Sequence, residues 1–416
     1  MAPTVILFED DAVERLHPIT IGRPAYAVSC GAYSLIQLLE TEGIPVCGIV
    51  RPHLAEVQRL DYPQLDDPTQ AEGQRVLLNA RVVPSQGNLR ALRDWWMAGQ
   101  TGVVRQDEAI VAALLPPGTP APVQQLVTSD LPNYYKYAGV DSLPKIDVSL
   151  TLFEYPHDVV RHNIEILPDN LAHRIARGQL TEQADGVFLG KGAQLGEHCV
   201  VDTSDGPIII DRDAQIGPFV FLQGPAYIGP RSRVIEHAAI KDAVSIGHTT
   251  KIGGEIEASV IEPYTNKQHY GFLGHSYLGS WINLGAGTCN SDLKNTYGTV
   301  NMDYQGQRVA TGMQFVGCII GDYSKSAINT GIFTGKVIGA CSMVYGFVTT
   351  NVPSFVNYAR LFGQVTELPA DVMTATQHRM FVRRKVEQRP CDIQLIHDMY
   401  ELSRNERQLA GEPLSL

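Results

Sequence analysis

The 416-residue sequence has little of what marks membrane, secreted or nucleic-acid-binding proteins. No apolar run approaches the ~20 residues of a membrane span. The 33 Lys and Arg against 44 Asp and Glu give a net charge of −11, which disfavours nucleic acid as a partner. The start, MAPTVILFEDD, has no basic segment before its apolar run, so it predicts a buried strand rather than a signal peptide.

Cysteine is sparse, and its seven copies are scattered along the chain. No two of them have the CxxC or CxxxC spacing that binds zinc or forms a redox pair. A reduced, cytoplasmic protein without a cysteine-held metal is therefore expected. The cysteines stand at positions 30, 47, 199, 289, 318, 341 and 391.

The length and texture of the chain predict two domains, because one core stops growing at ~250–300 residues. Residues 1–165 alternate apolar runs such as VILF and RVLLNARVV with helical stretches such as YSLIQLLE, which predicts an α/β domain with a Pro-rich loop at 116–126. We expect a helical linker at 166–186, a second domain at 187–352, and a helical tail at 353–416 that caps its open end.

The second domain carries a six-residue repeat of aliphatic side chains, with glycine after four of them. Neither a 3.6-residue helix nor an alternating strand has a period of six. A parallel β-helix does, because each unit sends one side chain into a shared core and then turns a corner. The repeat comprises Ile210, Ile216, Leu222, Ile228, Val234, Ile240, Ile246 and Ile252, with Leu189, Leu195 and Val201 upstream and Ile320, Ser326, Ile332, Ile338 and Val344 downstream.

The repeat is interrupted twice, and chemistry is expected at the interruptions because the regular coils are scaffold. Between residues 254 and 283 the spacing shifts and polar residues crowd in, among them His269 and His275. Residues 289–312 leave the repeat and predict a long loop, which in a compact domain is more often functional than idle. The basic run RMFVRRK at 379–385 predicts a solvated helix face.

The repeat and the segment NLGAGTCNSD resemble the acetyltransferase domain of the bifunctional N-acetylglucosamine-1-phosphate uridylyltransferase / glucosamine-1-phosphate acetyltransferases, above all their archaeal and alternative bacterial forms. The resemblance implies a left-handed parallel β-helix, a homotrimer, and acetyl-CoA bound between subunits as co-substrate. In that family the catalytic histidine precedes the alanine of GAGT by seventeen residues, which here leads from Ala286 back to His269. The implied role of His269 is general base toward the sugar amine. His275 stands where the family usually has an acidic or polar residue.

The same resemblance assigns the substrate-binding residues. Lys241 and Lys294 are implied to hold the sugar phosphate, and Asn283 to contact the substrate. A second asparagine contact falls on Asn290 if the following loop is shortened, or on Asp292 if it is not.

Small residues are implied along the CoA arm, where Ala286 and Gly346 leave the path open. Two positions depart from the family pattern. Phe272 replaces a tyrosine near the histidine, and Glu257 stands where a lysine often binds the phosphate.

The N-terminal domain resembles the sugar-1-phosphate nucleotidyltransferases in an altered form. ERLHPITIGRP is similar to their G-T-R-L-x-P-L-T-x-x-R-P segment, which implies nucleotide binding by Arg15 and Arg23. LLNARVVP is similar to their N-G-D-x-P strand end, but Arg81 replaces the metal-binding aspartate, so the resemblance offers Asn79 and Arg81 as nucleotide-binding residues without a family-like metal site. FEDDAVE replaces the glycine-rich phosphate loop with four carboxylates that repel a triphosphate. The resemblance implies UTP-dependent nucleotidyl transfer with Mg²⁺ in a degenerate domain.

Two other classes of function are open to this sequence. Some β-helix trimers are zinc carbonic anhydrases, but the separations of His237, His248, His269 and His275 (11, 21 and 6 residues) do not match their three-histidine pattern. A non-catalytic sugar-nucleotide-binding scaffold is favoured by the altered N-terminal motifs and disfavoured by the intact NLGAGT. We therefore expect acetyl-CoA-dependent N-acetyl transfer to an amino sugar phosphate such as glucosamine-1-phosphate, with nucleotidyl transfer as a second activity.

Overall fold

The computed structural model describes residues 3–65, 73–119 and 127–409 and contains three parts: an α/β domain, a parallel β-helix and a helical tail. Residues 120–126 of the predicted Pro-rich loop and residues 410–416 of the predicted tail lie outside the described residues. Within the described ranges no helix combines the length and apolarity that a membrane crossing requires.

The first domain is built on a five-stranded sheet of order β2-β1-β3-β5-β4. β1 is parallel to β2 and β3, whereas β5 is antiparallel to β3 and β4. β1 is apolar on both faces because both are covered: Val5 and Leu7 belong to one core cluster, Ile6 and Phe8 to another. The strands are β1 (Thr4–Phe8), β2 (Val46–Ile49), β3 (Arg75–Asn79), β4 (Gly102–Gln106) and β5 (Ala109–Leu114), and the helices are α1 (Leu35–Thr41), α2 (Ala55–Asp61), α3 (Gln86–Met97) and α4 (Leu131–Tyr137).

A 20-residue helix, α5 (His157–Ala176), joins the first domain to the β-helix. It begins nine residues before the predicted linker. Its buried Asn163 bridges both domains, since its Oδ1 accepts from the Gly31 amide (2.9 Å) and from Ser245 Oγ (2.7 Å). The connector is therefore a packed element of the domain interface.

The β-helix is a three-sided prism whose short parallel strands stack coil on coil. Its first face contains β6 (Thr181–Ala184), β7 (Val187–Leu189), β9 (Ile208–Ile210), β12 (Ala226–Ile228), β15 (Val244–Ile246), β18 (Val260–Ile261), β21 (Tyr277–Leu278), β25 (Cys318–Ile320) and β28 (Lys336–Ile338). The second face contains β10 (Gln215–Ile216), β13 (Arg233–Val234), β16 (Lys251–Ile252), β19 (Asn266–Lys267), β26 (Lys325–Ser326), β29 (Met343–Val344), β31 (Val356–Ala359) and β32 (Gln364–Glu367). The third face contains β8 (Val200–Asp202), β11 (Phe221–Gln223), β14 (Ala239–Lys241), β17 (Glu255–Glu257), β20 (Phe272–Gly274), β22 (Cys289–Asn290), β27 (Gly331–Ile332) and β30 (Phe347–Val348).

The predicted aliphatic repeat is confirmed as the core of this prism. All eight residues from Ile210 to Ile252 are at most 4% exposed. They divide into one inward column per face, as when Ile228 pairs with Ile246, eighteen residues on. Glycine is required at the corners where coils approach closely, since a Cβ on Gly217 would lie 2.6 Å from the backbone nitrogen of Glu236.

The predicted long loop contains an antiparallel hairpin, β23 (Asn301–Tyr304) and β24 (Gln307–Ala310). Met302 and Tyr304 are buried in a cluster shared with the first domain. The Tyr304 ring stacks on Tyr155 and His157, and its hydroxyl lies 2.9 Å from His157 Nδ1. The insertion therefore bridges the two domains.

The predicted helical tail is wrong for its first part, since β31 and β32 continue the second face of the β-helix beyond residue 352. The rest of the tail forms α6 (Ala370–Arg383), α7 (Pro390–Leu402) and α8 (Arg404–Leu409). Instead of capping the open end, it packs along the side of the prism and against the first domain. The Phe381 ring lies 4.5 Å from Trp281 of the β-helix, and Arg389 forms a 2.6 Å ion pair with Asp61 at the end of α2. The expected cap is wrong because the apolar sides of α6 and α7 are taken up by these two surfaces.

Candidate active site

His269 lies in the turn between β19 and β20, at the corner where the second and third faces meet, and its side chain is exposed. The GAGT turn stacks directly on it, because the Gly287 amide donates to the carbonyl oxygen of Tyr270 (3.1 Å). Gly346 lies at the same corner in a later coil, between β29 and β30. The predicted base and both predicted CoA-lining positions, Ala286 and Gly346, thus share one corner.

This corner is narrow because its glycines let the stacked coils approach each other closely. Gly271 and Gly287 have φ of 126° and 75°, in the region that favours glycine. A Cβ on Gly287 would lie 2.9 Å from the Tyr270 hydroxyl, and one on Gly271 would strike the carbonyl oxygen of Thr288. Glycine at positions 271 and 287 therefore lets neighbouring coils and the Tyr270 side chain approach each other closely at this corner.

Lys267 lies directly beneath the His269 turn, inside the prism. It is 2% exposed and occupies the inward position that Ile252 holds one coil earlier. Its Nζ donates to the carbonyl oxygens of Gly253 (3.0 Å) and His269 (2.6 Å). Burial lowers the pKa of Lys267 to about 8. An ammonium in the core thus ties down the backbone of the candidate base.

Lys267 was not identified from the sequence because it lies off the six-residue register. Ile252 pairs with Lys267 fifteen residues later, whereas Val234 pairs with Ile252 eighteen residues later. The shortened coil turns a lysine inward where the unbroken period predicts an aliphatic residue. The shift in spacing between 254 and 283 was the available signal.

His275 occupies a different corner, between the third and first faces. Its Nδ1 lies 2.9 Å from Asp292 Oδ2, and its ring stacks on Phe315 at 5.2 Å. Asp292 and Phe315 stand at the two ends of the insertion, so His275 holds both ends together. If Nδ1 carries the proton, Asp292 fixes that tautomer and leaves Nε2 free to accept another. This pairing was not identified from the sequence.

The two predicted phosphate-binding lysines differ in their surroundings. Lys241 Nζ lies 2.7 Å from Glu255 Oε1 and 3.6 Å from Glu257 Oε2, and the hydrogen bond to Glu255 raises the Lys241 pKa. Its charge is therefore already balanced by carboxylates on the neighbouring strand. Lys294 is partly buried in the insertion and forms no ion pair with the residues that the structure describes.

The two predicted substrate asparagines lie on different faces. Asn290 is 5% exposed in the inward column of the third face, where its amide exchanges hydrogen bonds with the Gly274 backbone (2.9 and 3.0 Å). Its polar atoms therefore hold the scaffold, and Asp292 is the more accessible of the two open candidates. Asn283 is exposed on the second face, between Asn266 and β26.

In the first domain, Arg81 forms a buried ion pair with Asp10 of the altered phosphate loop. The Arg81 side chain is 1% exposed and donates to both carboxylate oxygens of Asp10 (2.8 Å each) and to Glu154 (3.2 Å). The Asn79 amide also donates to Asp10 (2.8 Å). Arg15, more than half exposed, faces Glu154 at 3.7 Å. Arg81 thus stands where the related motif has its metal-binding aspartate, and it already pairs with both oxygens of Asp10, so these two residues do not fit a Mg²⁺ ion.

Arg23 belongs to the domain interface and is separate from this cluster. Its guanidinium lies 3.1 Å from Glu262 Oε1 and also bonds Asp322 and Ser280, all in the β-helix. These contacts leave the Arg23 side chain only 12% exposed. Its guanidinium is therefore engaged in the domain interface instead of being open to a nucleotide. Across residues 3–65, 73–119 and 127–409, no three His, Cys, Asp or Glu side chains are grouped closely enough to hold a metal ion.

These features define a class: proteins in which a nucleotidyltransferase-like α/β domain precedes a parallel β-helix. Residues 5–177 match the family model described as sugar nucleotidyl transferase. The chain is 33% identical over 121 residues to the "Bifunctional protein GlmU" of Cupriavidus pinatubonensis (strain JMP 134 / LMG 1197), an alignment covering 28% of this chain and 26% of that protein. It is 30% identical over 148 residues to the "Bifunctional sugar-1-phosphate nucleotidylyltransferase/acetyltransferase" of Sulfurisphaera tokodaii, covering 35% and 37% respectively.

The chain thus aligns with about a quarter to two fifths of the length of these curated relatives. Among solved structures, the UDP-N-acetylglucosamine acyltransferase of Francisella novicida is 16% identical, with 56% of this chain and 79% of that chain covered at a TM-score of 0.32. The predicted fold class and the predicted resemblance are confirmed: the first domain matches the sugar nucleotidyl transferase family, and the chain is similar in sequence to the bifunctional GlmU proteins.

Proposed function

We propose that the protein transfers the acetyl group of acetyl-CoA to the amine of an amino sugar phosphate such as glucosamine-1-phosphate. The observation that carries the proposal is the corner shared by His269, Ala286 and Gly346. There His269 takes a proton from the amine as its nitrogen attacks the thioester carbonyl, and the CoA thiolate leaves. The similarity to bifunctional nucleotidyltransferase/acetyltransferases supports this assignment.

The predicted substrate residues favour a homotrimer. Asn283 lies on the second face and Lys241 on the third, so a single chain cannot direct both at one small substrate. A neighbouring copy would bring its second face opposite the third face of the first copy. Phe333 and Phe347, at least half exposed on the third face beside the His269 corner, provide apolar surface for such a contact.

A second candidate base is His275, because Asp292 orients its ring. Its burial by Phe315 and its role in closing the insertion favour a structural function instead. Separate substitutions of the two histidines distinguish these roles.

Uridylyl transfer from UTP is a second candidate activity, favoured by the family match over residues 5–177. The Asp10 and Arg81 ion pair opposes it, since Arg81 stands at the position of the family's metal-binding aspartate and already pairs with both oxygens of Asp10. A non-catalytic role for the first domain as a scaffold that holds the insertion and the tail agrees with this ion pair.

The acetyl-transfer proposal is tested with purified protein, acetyl-CoA and glucosamine-1-phosphate, by following thiol release. Release that depends on the amino sugar phosphate and disappears in His269→Gln is the expected result. No acceptor-dependent release by the native protein would overturn the proposal. Sedimentation velocity on the same sample tests the trimer.

A further inference from the structure

A row of polar and basic side chains crosses the second face beside Asn283. Arg233, Lys251, Asn266 and Asn283 lie side by side on consecutive coils, and neighbouring strands are ~4.8 Å apart. At the end of α6, Arg384 of the tail donates to Asn266 Oδ1 at 2.6 Å. The tail therefore adds a guanidinium to this row, although the run RMFVRRK predicted only a solvated helix face.

The positive charges of this row are not neutralised. Arg233, Lys251 and Arg384 form no ion pair with the described residues, in a chain whose net charge is −11. Burial lowers the pKa of Lys251, and the charges of Arg384, Arg233 and Arg383 lower it further. Because like charges held together repel each other, a bound anion would relieve this repulsion.

The third face provides the contrast. There the predicted phosphate anchor, Lys241, is already paired with Glu255 and Glu257. Lys294 forms no ion pair with the described residues either, but it lies in the insertion, whereas Arg233, Lys251 and Arg384 lie together on the second face beside the predicted substrate residue Asn283.

We propose that Arg233, Lys251 and Arg384, with Asn266 and Asn283, form a basic strip that binds a phosphate group of a substrate. This inference rests on the proposed acetyl transfer and names its phosphate anchor. The planar guanidinium of Arg384 contacts two phosphate oxygens, while Lys251 acts as a point charge. Asn283 donates its amide to a further oxygen. Lys241 is then not the main anchor.

Two substrates carry phosphate, the amino sugar phosphate and CoA, and kinetics of Arg384→Gln and Lys251→Gln separate them. If both variants raise the KM for glucosamine-1-phosphate about tenfold or more and leave the KM for acetyl-CoA unchanged, the strip binds the phosphate of the sugar. If only the KM for acetyl-CoA rises, the strip binds a phosphate of CoA. Both KM values within twofold of the native enzyme overturn the basic strip. Arg379→Gln is the matched control, because Arg379 lies exposed on α6, which ends just before Arg384, and its one hydrogen bond within the described ranges is to Thr376.

Direct binding separates a failure of the strip from a failure of the proposed function. If the native protein transfers no acetyl group, calorimetric titration with glucosamine-1-phosphate and with acetyl-CoA measures the strip alone. Binding to the native protein that weakens tenfold in both variants, but not in Arg379→Gln, supports it. Equal binding in all proteins, or no binding to the native protein, overturns it. Lys251→Gln leaves the contact between the tail and the β-helix intact, so loss of the tail cannot account for a shared effect.

Discussion

The ammonium nitrogen of Lys267 lies 2.6 Å from the carbonyl oxygen of His269, on the inner side of the wall that presents the histidine outward. One coil earlier, Ile252 fills the same position. Burying the Lys267 ammonium at this position costs more free energy than burying an aliphatic side chain such as that of Ile252. The ammonium group instead donates a hydrogen bond to the backbone of the candidate base, His269.

Lys267→Met should lower kcat about 10- to 100-fold with little change in KM for either substrate. Methionine keeps the length of the buried stem but cannot donate to Gly253 and His269, so the turn loses its fixed position, and misplacements of about 1 Å can have effects of this size. Steady-state kinetics of acetyl transfer test this. Ile252→Met, in the same column, controls for repacking. If kcat of Lys267→Met stays within twofold of the native enzyme, the turn keeps its position without the hydrogen bonds from Lys267.

The same substitution should change how stability depends on pH. Burial lowers the Lys267 pKa to about 8 from an ordinary 10.5. As pH rises through this window, the folded protein loses the proton before the unfolded chain does, so the native protein gains stability relative to Lys267→Met. The gain is at most about 3 kcal/mol, at roughly 1.4 kcal/mol per pKa unit. Urea midpoints at pH 7.5 and 10 measure it, and an unchanged difference between the two proteins would contradict it.

His269→Ala should lose acetyl transfer by about 100-fold or more, while His275→Ala retains most of it, because only His269 shares its corner with the GAGT turn. Thiol-release assays at saturating substrate decide between them. The opposite pattern would assign the base to the pair of His275 and Asp292. Loss in both variants calls for thermal melts, since His275 also closes the insertion.

Arg23→Met should destabilise the protein by about 3–5 kcal/mol, because it leaves Glu262 and Asp322 buried without their common cation. Arg15→Met is the matched control: its side chain is 59% exposed and lies 3.7 Å from Glu154, so its loss should change stability by about 1 kcal/mol or less. Denaturant unfolding of both variants measures the difference. Equal stabilities would show that the domain interface does not depend on Arg23.

UTP-dependent pyrophosphate release should remain at background with or without magnesium, because Arg81 holds both oxygens of Asp10. A coupled pyrophosphate assay with N-acetylglucosamine-1-phosphate as acceptor tests this. Release at an enzymatic rate would show that the acidic loop binds the nucleotide in another arrangement.

The architecture could be predicted because its physical cause repeats. Eight aliphatic residues at a period of six are compatible with few folds besides a β-helix. The continuous apolar run from Val5 to Phe8 likewise predicts a buried strand. The tail was harder to place. Its apolar residues predict helices, but the surface that they cover is created by folding, so Phe381 gives no indication that it meets Trp281.

The candidate site was predicted only in part, for a related reason. The family resemblance nominates His269 by its distance of seventeen residues from Ala286, and in the structure the two residues lie in neighbouring turns of one corner. Charge balance follows from contacts across coils and domains, which the sequence does not display. The neutralised Lys241, the pairing of Arg81 with Asp10, and the approach of Arg384 to Asn266 therefore appear only in the structure.

The hairpin that carries Tyr304 makes the order of assembly matter. Its buried side rests on Tyr155 and His157, which leave the ribosome earlier, so the first domain is available when the hairpin emerges. A β-helix produced alone from residue 187 would display Met302 and Tyr304 to water and to other copies of itself. Separating the two halves of the gene should therefore yield an aggregating product, and the intact chain should melt in one transition instead of two.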